Sequence, residues 1–251
     1  MFRGVFVTGP PRRLARAVAA LVLTGTALAA GPAGPADAAP ATAVDYVTTV
    51  GWGIGFQVQL SLRPAVTLTG WQVEFDLPDD QQLSNAFYAG ATQTGRHVVL
   101  TNRPFNGTVT AGSTLNVGLQ VASASLSNAS PAQITVNGQP ALYTEQGRIL
   151  LAQHRPSVLE GSSTAVTATL STRPAGPIRI QVGSSPAAAV VASPQYLTFD
   201  AGDWNVPHPV TLSSPEDADS VGQLVWVPLQ QSTGPTHYAS DWLQATQLDN
   251  D

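Results

Sequence analysis

A chain of 251 residues with 16 acidic against 11 basic side chains carries a net charge of −5, and every basic residue is arginine. That balance argues against a nucleic-acid partner, whose phosphates need a basic face. The absence of cysteine removes disulfides, thiolate metal sites and thiol nucleophiles.

The N-terminus reads as an export leader. Arg3, Arg12, Arg13 and Arg16 precede an apolar run from Ala17 to Ala30, and small residues continue to Ala36-Asp37-Ala38. The run is shorter than the roughly 20 residues of a membrane-spanning helix. A signal peptide over residues 1–38 is therefore expected. The mature chain is expected to be a soluble, extracellular monomer with no membrane contact.

Period-two alternation dominates the remainder and predicts strands. Phe56, Val58, Leu60 and Leu62 alternate with Gln57, Gln59 and Ser61; Trp71, Val73, Phe75 and Leu77 alternate with Gln72, Glu74 and Asp76. Leu115, Val117, Leu119 and Val121 follow, then Ile134 and Val136, with turns at Pro78-Asp79-Asp80, Asn106-Gly107, Ala111-Gly112 and Asn137-Gly138. After a short polar passage around Tyr143–Gly147 a second set begins: Val166, Ala168, Leu170; Ile178, Ile180, Val182; Val210, Leu212; and Val225, Val227, Leu229. Strands with one wet and one dry face pair as sandwiches. The fold class is all-β: two consecutive antiparallel β-sandwich domains, over residues 41–141 and 148–251, with a linker over residues 142–147.

The first set resembles family 2 carbohydrate-binding modules, the cellulose-binding β-sandwiches of actinobacterial secreted enzymes. The resemblance rests on Trp52-Gly53-Ile54-Gly55-Phe56, on Gly70-Trp71 with Phe75 and Pro78, and on Gly95, Val98-Val99, Asn106-Gly107 and Gly112. It closes at Pro131 and Val136-Asn137-Gly138. It implies a flat strip of three sugar-stacking aromatics at Trp52, Phe87 and Phe105, the last two standing where the family usually has tryptophan. Asn85, Asn102 and Asn106 flank them as candidate hydrogen-bonding partners for sugar hydroxyls, although asparagines in such positions are also ordinary turn residues. Most aromatics in a sandwich belong to its core, and Phe56, Trp71 and Phe75 lie in phase with core aliphatics. Phe87 and Phe105 instead sit among polar turn residues, where exposure is expected. The family's disulfide between first and last strands has no counterpart here, where Thr42, Ala43 and Ala141 stand. Its loss is worth roughly 2–4 kcal/mol.

The second set resembles the Calx-beta type of immunoglobulin-like sandwich through Val158-Leu159-Glu160-Gly161, Leu197-Thr198-Phe199 to Trp204, Glu216-Asp217-Ala218-Asp219 and the closing Asp249-Asn250-Asp251. That resemblance implies a possible Ca²⁺ site with Glu160, Asp217, Asp219, Asp249 and Asp251 as oxygen ligands. The alternative is a set of solvated acidic turns. No other cofactor is implied.

Catalysis has little footing. Glu74 and Asp76 lie two apart on one strand face, roughly 6.6–7 Å apart, a spacing that any such pair achieves and that overlaps the range of inverting glycosidases. His97, His154, His208 and His237 share no motif, and no nucleophile elbow is present. The expected function is that of a secreted, non-catalytic protein adsorbing to insoluble polysaccharide, with cellulose first and chitin or xylan as substitutes. Two readings stand beside it: a structural or adhesion protein with a calcium-binding sandwich, and an accessory module of glycoside hydrolase type.

Overall fold

Alternation of apolar and polar residues gives each segment one dry face, and the strands form where that alternation is found. The computed structural model describes residues 41–78, 80–183, 189–216, 218 and 220–250. The expected leader, residues 1–38, lies outside them. The first part of the chain supplies β1 (Ala43–Trp52), β2 (Gly55–Arg63), β3 (Leu68–Thr69), β4 (Gln72–Asp76), β5 (Gln82–Phe87) and β6 (Gly90–Thr94). It continues with β7 (His97–Thr101), β8 (Thr108–Val109), β9 (Leu115–Ala122), β10 (Ile134–Val136), β11 (Gln139–Pro140) and β12 (Leu142–Tyr143).

These strands make two five-stranded sheets in the orders β12-β1-β2-β9-β5 and β11-β10-β4-β7-β6, with β3 and β8 as a separate short pair. Val58, Leu60 and Leu62 of β2 and Val117, Leu119 and Val121 of β9 face Trp71, Val73, Phe75 and Leu100 across one core. Tyr46 meets Phe75 edge-on, with ring centroids 5.9 Å apart. Each such buried side chain contributes about 1.5–3 kcal/mol. Where the family resemblance implies a disulfide, the backbone closes the sandwich instead: β12 pairs in parallel with β1, Ala43 opposite Leu142, and Leu142 N donates to Thr42 O at 2.9 Å.

The second part supplies β13 (Ile149–Leu151), β14 (Ser157–Leu159), β15 (Ser163–Leu170), β16 (Ile178–Val182) and β17 (Val191–Ser193). It ends with β18 (Tyr196–Phe199), β19 (His208–Ser213), β20 (Leu224–Thr233) and β21 (Asp241–Leu248). Sheets β13-β15-β19-β17 and β14-β21-β20-β16-β18 enclose a second core around Phe199, Ile180, Val210, Val227 and Leu243. The named strands pair antiparallel throughout, apart from β1–β12 and β14–β21. No helix among the described residues is long and apolar enough to cross a membrane.

The passage between the cores is built in on both sides. Gln146 Oε1 accepts from Thr48 N of β1 at 2.8 Å, and Gly147 O accepts from Ala239 N at 2.8 Å. Asn128 Nδ2 donates to Ser240 O, and Arg155 Nη2 to Ala124 O, so polar bonds cross the seam in both directions.

Candidate functional site

The β1–β2 hairpin sets the first aromatic. Trp52 pairs with Gly55 across a two-residue turn whose Gly53 has φ +39°, a conformation side chains other than glycine's tolerate poorly. Trp52 is 41% exposed. Its indole lies across Gly55, where an added Cβ would stand 3.0 Å from Trp52 Nε1. Gly55 in turn pairs with Ala122 of β9, so Trp52 stands on the outer face of the sheet, away from the core that takes Phe56.

Phe87 reaches the same outer face from the far edge. It closes β5 opposite Gly118, and its ring rests on that glycine, with Cδ2 3.2 Å from where a Cβ would be. It is 40% exposed. Three interstrand steps and four residues of β9 separate the two rings, which puts their Cα atoms about 20 Å apart. Between them lies a floor of amides: Gln57 opposite Gln120, and Gln59 opposite Gly118. At its margin Ser61 Oγ donates to Asn116 Oδ1 at 2.8 Å.

Phe105 is 74% exposed on the loop that joins β7 to β8. That loop is fixed by bonds to its neighbours. Trp71 Nε1 donates to Asn106 O at 2.9 Å. Asn106 Nδ2 donates to Tyr88 O at 2.7 Å, just past Phe87, and Asn106 Oδ1 accepts from Arg103 N at 2.7 Å. Asn102 Oδ1 accepts from Trp71 N at 3.2 Å and its Nδ2 donates to Arg103 O at 3.2 Å. Asn85 Oδ1 accepts from Ala86 N at 2.9 Å. Asn102 and Asn106 therefore spend both amide ends on the loop that carries Phe105, Asn102 tying it to Trp71 and Asn106 to the end of β5, whereas Asn85 uses only its oxygen on its own strand.

Tyr88, left out by the sequence reading, is more exposed than Phe87 and sits at φ 64°. Gln57, Gln59 and Gln120 were also left out as candidates. Their signal lies in the polar phase of β2 and β9, where Gln57, Gln59, Asn116 and Gln120 carry uncharged amides.

The opposite sheet presents a different cluster. Glu74 and Asp76 of β4 both close on His97 of β7, Asp76 Oδ1 at 2.9 Å from Nδ1 and Glu74 Oε2 at 3.3 Å from Nε2. The hydrogen bond that the imidazole donates to Asp76, with Glu74 adding to it, holds its pKa above the ordinary value. The two carboxylates stand on an exposed strand face and brace a histidine.

Of the calcium candidates, Asp217, Asp219 and Asp251 lie outside the described residues. Glu160 is buried, with Gln247 Nε2 at 3.3 Å from its Oε1, and Asp249 follows β21. Glu216, not among the expected ligands, lies against Gly161, next to Glu160. No group of three or more His, Cys, Asp or Glu among the described residues is arranged to hold a metal ion.

Residues 42–141 match a family described as the cellulose binding domain. Exoglucanase B of Cellulomonas fimi is 37% identical over 89 residues, covering 35% of this chain and 8% of that protein. Chitinase C of Streptomyces lividans is 32% identical over 109 residues, covering 43% of this chain and 18% of that protein. A cellulose/chitin binding protein of Mycobacterium bovis is 31% identical over 124 residues, covering 49% of this chain and 84% of that protein. This chain thus spans only a small part of the two enzymes and most of the binding protein.

Proposed function

Because the chain belongs to the cellulose binding domain family, we propose that it is a secreted, non-catalytic protein that adsorbs to insoluble polysaccharide, cellulose first, through Trp52, Phe87 and Phe105. The observation that carries the reading is the shared outward placement of Trp52 and Phe87 on one sheet face, with an amide floor between them. A planar face of this kind suits the surface of a packed glycan, whereas small molecules are held in concave pockets. Each ring face covered by a sugar removes about 100 Å² from water, roughly 2–2.5 kcal/mol. One ring falls short of the several kcal/mol that association costs; three together set about 6–7 kcal/mol against it.

The amides supply what the rings lack. Gln57, Gln59 and Gln120 offer donors and acceptors to hydroxyls at the ring edges, while the rings themselves bind any flat sugar face. Chitin differs from cellulose by an acetamido group on each ring and presents the same flat face, so it is the second ligand of the proposal. Secretion rests on the leader pattern over residues 1–38. The absence of catalysis is supported by the commitment of Glu74 and Asp76 to His97.

The test is depletion of the mature chain from solution by microcrystalline cellulose, with chitin and insoluble xylan in parallel. Retention on cellulose, lost in Trp52→Ala, is the expected result. A chain that stays in the supernatant on all three solids removes the proposal.

A further inference from the structure

We propose that Trp226 and Trp242, in the second sandwich, are positioning residues for Trp52: they brace the glycine hairpin that carries it from the side opposite the polysaccharide. The inference rests on the aromatic-face reading above and extends it to the second sandwich, beyond the matched residues 42–141.

The hairpin reads Gly51-Trp52-Gly53-Ile54-Gly55, glycine at every second position. On its outer side the Trp52 indole occupies the space over Gly55. On its other side two indoles from the second sandwich take the space over the remaining glycines. A Cβ on Gly53 would stand 3.0 Å from Cζ2 and Cη2 of Trp226, and one on Gly51 would stand 2.8 Å from Trp242 Nε1. The first is tighter than ordinary Cβ contacts, and the second is closer than a Cβ stands without a shift of its neighbour. The alternating glycines let one β-hairpin be gripped by three indoles.

The grip is rigid on the second sandwich's side. Trp226 and Trp242 stand on adjacent strands β20 and β21, with Trp226 opposite Gln244 and Pro228 opposite Trp242. Their rings meet edge-on, centroids 6.5 Å apart at 76°. Trp242 Nε1 is buried with no hydrogen-bond partner, although a buried indole N–H ordinarily finds one; the contact with the hairpin is made despite that cost. The cleft remaining among Gly51, Gly53, Phe56, Ser123, Asp241 and Trp242 holds about 10 Å³, at the lower limit for one water.

The hairpin needs such a brace. Beyond Phe56 the tip is held from β9 only by Gly55 opposite Ala122 and by Ser123 N donating to Ile54 O at 2.9 Å; Ile54 is 57% exposed, and a glycine-rich tip loses much entropy on ordering. Binding through flat rings gains little unless the rings are already in place, because ordering them at the surface is charged against affinity. A brace supplied by the second sandwich fixes Trp52 before the ligand arrives.

The experiment uses the mature full chain as wild type, Trp52→Ala, Trp226→Ala and the double variant, with Trp226→Phe as the conservative replacement. Adsorption isotherms are read on the polysaccharide that wild type binds, together with the order of the Trp52 indole N–H from ¹⁵N relaxation. We expect Trp226→Ala to weaken adsorption about three- to tenfold, Trp226→Phe to restore most of it, and Trp226→Ala to add nothing in the Trp52→Ala background, the signature of two residues acting as one unit. The Trp52 indole, rigid in wild type, becomes mobile in Trp226→Ala. An equal loss in both backgrounds means Trp226 touches the ligand itself or acts only through global stability, and overturns the proposal; so does a Trp226→Ala chain that binds like wild type with Trp52 still ordered. If Trp226→Ala does not fold, Gly53→Ala disturbs the same contact from the first sandwich, and normal adsorption by that variant also overturns it. A Trp52→Ala chain with unchanged adsorption, alongside a Trp52 indole loosened by Trp226→Ala, upholds the brace and removes the binding face.

Discussion

Phe87 separates a binding role from a structural one most sharply, because its ring does two jobs that are read by two assays. It is 40% exposed, and its other face covers Gly118 at the edge of the sheet. With about 200 Å² for the side chain, about 120 Å² rests on the protein and about 80 Å² is open to a ligand. At about 25 cal/mol per Å², Phe87→Ala then costs up to about 3 kcal/mol of stability and about 2 kcal/mol of binding. The stability figure is an upper bound, since an unfolded chain already covers part of that surface. The binding loss corresponds to about a thirtyfold rise in Kd. Urea unfolding reads the first quantity and adsorption isotherms on cellulose read the second. If Phe87→Ala loses stability yet adsorbs like wild type, the ring is a cover for β5 and the aromatic face loses one of its three members. Phe87→Trp provides the converse arm: a larger ring on the same glycine tightens adsorption with little change in stability.

Three further outcomes follow from the same structure. The His97 imidazole titrates above its ordinary 6.5 because Asp76 and Glu74 hold its proton; the stability this adds is complete below pH 6.5 and disappears as pH rises through the higher folded value, so an NMR midpoint at or below 6.5, or one unmoved by Asp76→Asn, contradicts the arrangement. Leu119 is fully buried in β9, so Leu119→Ala removes about 2–5 kcal/mol in urea unfolding, and a loss below 1 kcal/mol places the core elsewhere. Calcium in the second sandwich remains a proposal built on Glu160 and Asp249 with Asp217, Asp219 and Asp251: millimolar CaCl₂, the range of extracellular modules, raises the Tm and Glu160→Gln cancels the rise, whereas a Tm indifferent to calcium removes the ion.

The strands legible in the sequence were those whose dry phase is wholly apolar. β4, β9 and β16 follow the alternation residue by residue, and β2 and β20 follow it over residues 56–60 and 224–229. β21 escaped because its buried positions include Asp241 and Gln247. Asp241 is desolvated enough for its carboxyl to be held above the usual range despite the hydrogen bond from His154. β5 escaped because its pairing shifts between Leu83 and Asn85, and a bulge moves later side chains to the other face. That shift is also what turns Phe87 outward, so the irregularity that hid the strand placed the ring. Trp52 and Phe105 are candidates through the family motif alone; periodicity has nothing to say about a hairpin tip and a loop.

An aromatic in the wet phase of an alternating strand needs a reason, since water gains nothing from it. Trp226, Trp242, Trp52 and Phe87 each raise that question, and the structure answers it in two ways. Trp226 and Trp242 share strands with Val225, Val227 and Leu243, which point into the core, while the two indoles point out. They are covered by the Gly51–Gly55 hairpin of the same chain, so their reason is internal. Trp52 and Phe87 also point out, each resting on a glycine, Gly55 or Gly118, that frees the ring to lie flat. Nothing among the described residues covers their outer faces. The small residue beneath each ring carries the argument: a ring kept outward only for want of room in the core would have no need of a glycine under it. A ring lowered onto glycine presents a level surface, which is what a flat ligand requires and what folding alone has no use for.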